Sequence, residues 1–367
     1  MGAYYDLIME PIEGTFTRCF NVCWHDQLNE LVKPYSDAVQ LQIGNQLRPK
    51  LTCWGAAFNT DSVGEIDLNQ TAQIASHVEM VHKASLIIDD IVDNDDARRG
   101  QKAFHIEFGR DKAIMFSLVL LSKGMAGINR VLHQSNSHYC GVALYSDTIY
   151  HMALGCLEEL ELNHTSMYDI EKIRRIINYE TIALIKNSFL LGYWSNWDGN
   201  STLEKTLVEI GENCGYIFQV LNDLEPFSDS DSNFNYKGGR NIDINRDRKN
   251  IVVAYVYGAA TPKEKKLLTT LSGEPLQHLI LELYRKYSVF DAICHEAMDL
   301  EQRVDEQITD IKQVGRHISC IEDFRMFVHE VIDICFSRLG QAGAQLRDAG
   351  NFGQQIHNVN NKSDNSH

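Results

Sequence analysis

The stretch Ser85-Leu-Ile-Ile-Asp-Asp-Ile-Val-Asp-Asn-Asp-Asp-Ala-Arg-Arg-Gly100 constrains this chain more than any other. Asp89, Asp90 and Asp93 close an apolar helical run, and Arg98 and Arg99 follow at once. On a helix Asp89 and Asp93 are i,i+4 and share a face, and Asp90, at i,i+3 of Asp93, joins them. Three carboxylates beside an apolar wall are costly unless a cation neutralises them. Oxygen ligands of this kind suit Mg2+, which keeps several waters and shares its shell with phosphate oxygens. Paired arginines supply planar forks for phosphate. The pattern therefore points to a metal-held diphosphate. The plainer alternative is a solvated acidic helix end followed by a basic turn.

Few prolines (six in 367 residues), 44% hydrophobic content and long 3.6-residue periodicities favour an all-α fold. A single domain is expected over residues 1–349. The tail from Gly350 to His367, rich in Asn, Gln, Ser and His, reads as disordered. A net charge of −16 argues against nucleic acid or an anionic membrane as partner, but not against a diphosphate, because that field is local. The nine cysteines contain no CxxC and read as reduced core residues of a cytoplasmic protein. Cys19, Cys23 and His25 make only a weak zinc set. No basic leader precedes an apolar core, no run reaches the roughly 18 apolar residues of a spanning helix, and Gly2 lacks the context for myristoylation. The expectation is a protein not integral to a membrane.

Helices are expected over Leu68–Ile88, capped by Asp67 or Asn69, and over Ile170–Tyr193, Leu203–Leu224 and a segment starting near Asn250. Further helical pattern covers Lys263–Leu271, Leu276–Asp299 and Ile321–Leu346. Pro226–Asn241 reads as a mobile loop.

With His82 upstream and the Ser85-Leu86 lead-in, the acidic segment resembles the first aspartate-rich motif of the trans-isoprenyl diphosphate synthase (polyprenyl synthetase) family. That motif reads DDxxDxxxxRRG after HxxSLxxDD. His82, Ser85, Leu86, Asp89, Asp90, Asp93, Arg98, Arg99 and Gly100 all match. The resemblance covers roughly residues 40 to 260. It implies an isoprenoid synthase-type antiparallel helix bundle around a deep apolar cavity. It also implies two or three Mg2+ ions bound through diphosphate, an allylic prenyl diphosphate donor, an acceptor, and a homodimer.

The family's second acidic motif, FQxxDDxxD, is matched in frame by Phe218 and Gln219. Its acidic part has drifted. Asn222 and Asp223 take the first two places and Pro226 the last, which leaves Asp223 and the Asn222 carbonyl as the expected metal ligands. Downstream, Gly239-Arg-Asn-Ile-Asp-Ile-Asn-Arg-Asp-Arg-Lys249 resembles the family's basic flap, with Arg248 and Lys249 as expected diphosphate cations.

The acceptor side departs further. The family's GGKRxRP becomes Ile43-Gly-Asn-Gln-Leu-Arg-Pro49, which keeps Arg48 and replaces two cations with Asn45 and Gln46. The Lys-Thr pair becomes Glu180-Thr181. Each lost charge-assisted hydrogen bond is worth about 1.5–3 kcal/mol. His82 and Arg99 resemble the remaining acceptor ligands. Ala84 and Ser85 stand where the family often places bulky aromatics under the donor tail, so the tunnel is expected to run deep.

The resemblance implies a prenyltransferase that ionises an allylic diphosphate through Asp89, Asp90, Asp93 and Arg98. It then elongates the chain with isopentenyl diphosphate or transfers the prenyl group to another acceptor. The alternatives are class I terpene cyclisation and a regulatory subunit of a heteromeric synthase. Pro226 gives the cyclase no support, since that reading wants Ser or Thr there. The intact first motif speaks against an idle subunit.

Overall fold

The computed structural model describes residues 32–35, 37–38, 44–58, 66–134, 141–163, 168–195, 201–227, 249–313 and 320–347. The described chain is helical apart from one short hairpin. In order the elements are α1 (Leu47–Ala57), α2 (Leu68–Asp93), β1 (Ala97–Arg98), β2 (Gln101–Lys102), α3 (Phe104–Phe108), α4 (Arg110–Gln134), α5 (Gly141–Asn163) and α6 (Ile170–Ile177). A π turn (Asn178–Ile182) leads into α7 (Ala183–Ser195), then α8 (Ser201–Leu224) and a 3-10 turn (Glu225–Phe227). The last elements are α9 (Ile251–Ala259), α10 (Pro262–Leu268), α11 (Glu274–Lys286), α12 (Val289–Gln313) and α13 (Ile321–Arg338).

Helix α2 organises the bundle. Asp67 starts it, its carboxylate accepting from the Gln70 N–H at 2.9 Å. Asn94 ends it in the left-handed region (φ 51°), with its N–H donated to the Asp90 carbonyl. Between these caps α2 is apolar on two sides. Ile74, Val78 and Val81 enter the main core, a single cluster running from Leu51 to Leu339. Met80, Ala84, Ile87 and Ile91 enter a second cluster with Phe104, Phe116 and Leu120 of α3 and α4. A helix apolar all round is expected only at the centre of a bundle.

Four expectations change in detail. The helix over Ile170–Tyr193 is interrupted by the π turn. The one over Leu276–Asp299 breaks at Ser288, whose φ of 47° no α-helix holds, giving α11 and α12. The pattern over Ile321–Leu346 breaks after Arg338, where Gly340 adopts φ 73°. Pro226 belongs to a 3-10 turn, and the rest of the loop from 228 lies outside the described residues, as do the tail and Cys19, Cys23 and His25.

Helix α4 is a further correction. Over Arg110–His133 it is long and apolar enough to cross a membrane by length and composition alone, its most apolar 18-residue window having mean hydropathy 1.3 and being 39% buried. One side packs on α2, where Ser117 donates to the Ala84 carbonyl at 2.8 Å. The other leaves Met115 and Leu118 at least half exposed.

Candidate functional site

A cavity of about 1330 Å³ is framed by the ends of α2, α5 and α8, the π turn, the start of α1, and α13. Asp89, Asp93, Arg98, Arg99, Arg48, His82, Ala84, Ser85, Thr181, Phe218, Gln219, Asn222, Asp223 and Lys249 all line it. Residues separated by two hundred positions thus meet around one space. Part of its wall is apolar, with Leu121, Ile149, Met152, Leu184 and Ile185.

The hairpin explains the Arg-Arg-Gly sequence. Ala97 pairs with Lys102 and Arg98 with Gln101, so Arg99 and Gly100 form the two-residue turn. Both have positive φ, 54° and 75°, as a type I′ turn requires. Glycine meets that demand at no steric cost. The turn sends the two arginines to different partners. Arg98 is 5% exposed and returns to α2, where Nε donates to Asp90 at 2.5 Å and Nη2 to Asp89 at 2.8 Å. Arg99 lies against the backbone of Gly44, where any Cβ would fall 2.2 Å from its guanidinium. That contact requires the glycine of the Gly44-to-Pro49 segment.

The three aspartates of α2 therefore do not all converge on the cavity. Asp89 and Asp93 line it, and Asp90 turns inward, 1% exposed, to Arg98. Burial pushes the Asp90 carboxyl up to about 6, against the pull of Arg98. Among the described residues no group of three His, Cys, Asp or Glu side chains forms a ready cage for a metal. Two cavity-facing carboxylates fit a hard cation that takes its other ligands from water and phosphate rather than from protein alone. The donor set fits Mg2+.

The second motif is arranged differently. Thr181 donates to Gln219 at 2.7 Å, and Gln219 donates to Asp223 at 2.7 Å. The other Asp223 oxygen accepts from the Ile251 N–H at 3.4 Å, at the N-terminus of α9, where the helix dipole favours an anion. Asn222 is exposed toward the cavity. Glu180, in the π turn, also faces the cavity. Burial, with Glu159, Asp89 and Asp223 close by, pushes its carboxyl well above the ordinary range.

The two flap cations stand differently. Arg248 lies outside the described residues. Lys249 lines the cavity, but its ammonium donates to the Leu162 and Asn163 carbonyls at 2.9 and 3.0 Å and sits 5.7 Å from the Tyr168 ring. It caps the C-terminus of α5 instead of waiting for a ligand. Ala84 and Ser85 both line the cavity, Ala84 fully buried against α4 and Ser85 half-buried.

Sequence reasoning passed over Glu79 and Lys83. Glu79, 2% exposed, accepts from His82 Nδ1 at 3.1 Å and lies 3.5 Å from the Lys83 ammonium. Burial, reinforced by Arg48, lowers His82 to about 4 and keeps the ring neutral. Burial alone would raise Glu79, yet its bond to His82 and the charges of Lys83 and Arg48 hold it below the usual range. The i,i+3 and i,i+4 spacing was the available signal, masked by the apolar periodicity around it.

A polyprenyl synthetase family model matches residues 29–287. The chain is 28% identical over 258 residues to a geranylgeranyl diphosphate synthase of Saccharolobus solfataricus, covering 67% of this chain and 74% of that one. It is 22% identical over 250 residues to heptaprenyl diphosphate synthase component 2 of Bacillus subtilis, covering 68% of each. Among solved structures, a Caulobacter crescentus polyprenyl synthase complexed with calcium and isoprenyl diphosphate superposes with TM-score 0.70 at 18% identity, covering 87% of this chain and 97% of that one. That likeness establishes the all-α isoprenoid synthase fold.

Proposed function

The chain belongs to the polyprenyl synthetase family, and from that premise we propose that it is a Mg2+-dependent prenyltransferase that lengthens an allylic prenyl diphosphate with isopentenyl diphosphate. The observation that carries this reading is one continuous cavity, with Asp89, Asp93, Arg98 and Arg99 at its polar end and Leu121, Ile149, Met152, Leu184 and Ile185 along its wall. A diphosphate and an isoprenoid tail need those two environments joined.

Asp89 and Asp93, with Asp223 and the Asn222 carbonyl, would hold Mg2+ and through it the donor diphosphate. The ion would supply Lewis-acid neutralisation of charge on the leaving group. Arg98 holds Asp89 and Asp90 in place and adds positive charge beside the diphosphate. The apolar wall keeps water from the allylic cation once the C–O bond breaks. Arg48, His82 and Arg99 face the acceptor, the neutral imidazole of His82 serving as a hydrogen-bond group.

We take residues 1–349 as one domain of a cytoplasmic homodimer. The exposed Met115 and Leu118 of α4 and Tyr150 of α5 suit a second copy. A relative named as a component of a heptaprenyl diphosphate synthase keeps a heteromeric partner as the second reading. The deciding assay is incubation with geranyl, farnesyl and geranylgeranyl diphosphates, with and without isopentenyl diphosphate, followed by product mass analysis. Longer diphosphates that form only with isopentenyl diphosphate and Mg2+ support the proposal. Cyclic hydrocarbon, or no product, refutes it.

A further inference from the structure

Glu79 decides which nitrogen of the His82 ring carries the first proton. It is 2% exposed, and its Oε2 lies 3.1 Å from His82 Nδ1. Burial alone would protonate it, but His82 and the Lys83 ammonium, 3.5 Å from its other oxygen, hold it ionised. An ionised carboxylate only accepts, so the proton of this pair belongs to Nδ1. The neutral ring then presents a lone pair at Nε2. Among the described residues nothing hydrogen-bonds Nε2, and the atom is reached by solvent from the cavity that His82 lines.

Fixing the tautomer has a consequence for anions. A fully ionised diphosphate oxygen also only accepts, so no hydrogen bond joins it to Nε2 until a proton is added. The charged groups that bear on the ring are Glu79 and Lys83 of α2 and Arg48 of α1. Tyr145 of α5, beside Arg48 and Glu79, stays a neutral phenol. Burial, reinforced by Arg48, keeps the free ring neutral. Negative charge arriving at Nε2 reverses that balance, because an adjacent anion favours the imidazolium.

We propose that a diphosphate bound at His82 takes up one proton from solution, held between Nε2 and a phosphate oxygen, and that Glu79 is the positioning residue that makes this uptake necessary by keeping the first proton on Nδ1. The proposal rests on the elongation reading above, in which His82 faces the acceptor. It makes acceptor binding weaken as pH rises, through a ring that the metal-held donor does not share.

The test is calorimetry of the full-length protein with isopentenyl diphosphate in two buffers of different ionisation enthalpy, at one Mg2+ concentration. The pH is set to about 8, above the roughly pH 6 ionisation of a free terminal phosphate. The buffer dependence of the heat counts the protons. The wild type takes up about one proton per ligand, and His82→Gln, whose amide donates without becoming charged, takes up about one fewer. Binding by the wild type without uptake overturns the proposal. So does equal uptake by His82→Gln, which would place the proton on another group such as Lys83. The part played by Glu79 is read without a variant, from the imidazole 15N shifts of the free wild type: a proton on Nδ1 supports it and a proton on Nε2 overturns it. Melting curves check that His82→Gln is folded. If isopentenyl diphosphate neither binds nor elongates a donor, the elongation reading fails instead, and inorganic diphosphate in the same two buffers decides the proton uptake by the same comparison.

Discussion

The two acidic segments face one cavity but are held by opposite means. At the end of α2, aspartates are packed at high density, and a buried arginine from the hairpin neutralises two of them. At the end of α8 the partners of Asp223 include two neutral donors, the Gln219 amide and the first N–H of α9. The difference teaches how a protein tolerates carboxylates at an apolar site. Dense negative charge is met at the first segment by an internal cation, whereas at the second an amide and a helix N-terminus contribute dipoles. The first segment therefore carries most of the charge available to a metal, and the second mainly shapes the opposite wall.

Arg98→Ala should be the most damaging change to the fold. It leaves Asp90 buried without its cation, and breaking such a pair costs about 3–5 kcal/mol. Chemical denaturation measures this, and a loss below 1 kcal/mol, about the value of an exposed pair, would show that the arginine does not neutralise the segment. Asp89→Ala should leave the fold intact and lower kcat about a hundredfold to a thousandfold, the range for removing a principal electrostatic group. Single-turnover rates at saturating Mg2+ check it. Asp223→Asn should cost only about tenfold, the size of one weakened hydrogen bond. If Asp223→Asn and Asp89→Ala lose equally, the asymmetry between the two segments is wrong. The mildest effect is expected for Ser85→Phe, which narrows the cavity below Asp89 and should shorten the longest product with little change in turnover. An unchanged product spectrum would place the floor elsewhere. Ala84→Phe is a poorer probe, because Ala84 packs against Phe116 and Leu120 and the ring would overfill that cluster.

Much of the first segment was legible because its signals are local. Asp67 caps α2, the Asp89–Asp93 spacing sets a common face, and Arg-Arg-Gly spells a turn. What escaped the sequence depended on long-range partners. The inward turn of Asp90 follows from the hairpin, and the engagement of Lys249 follows from carbonyls 86 and 87 residues away. Glu79 and Lys83 were hidden because charges that neutralise one another can occupy positions an apolar period assigns to the core. The break at Ser288 has no glycine or proline to announce it, so the pattern ran through it.

The π turn at Asn178–Ile182 gives segment length a meaning that substitutions do not share. It holds one residue more than an α turn, so α6 and α7 stand about 100° out of phase with an uninterrupted helix. Glu180 and Thr181 both reach the cavity from this turn. Deleting one residue here would let the helix run on regularly while α6 and α7 kept their buried faces, and it would rotate one of the two side chains away from the cavity. Insertions and deletions at this point are therefore a route by which a helix can exchange the groups it presents without repacking the bundle around it.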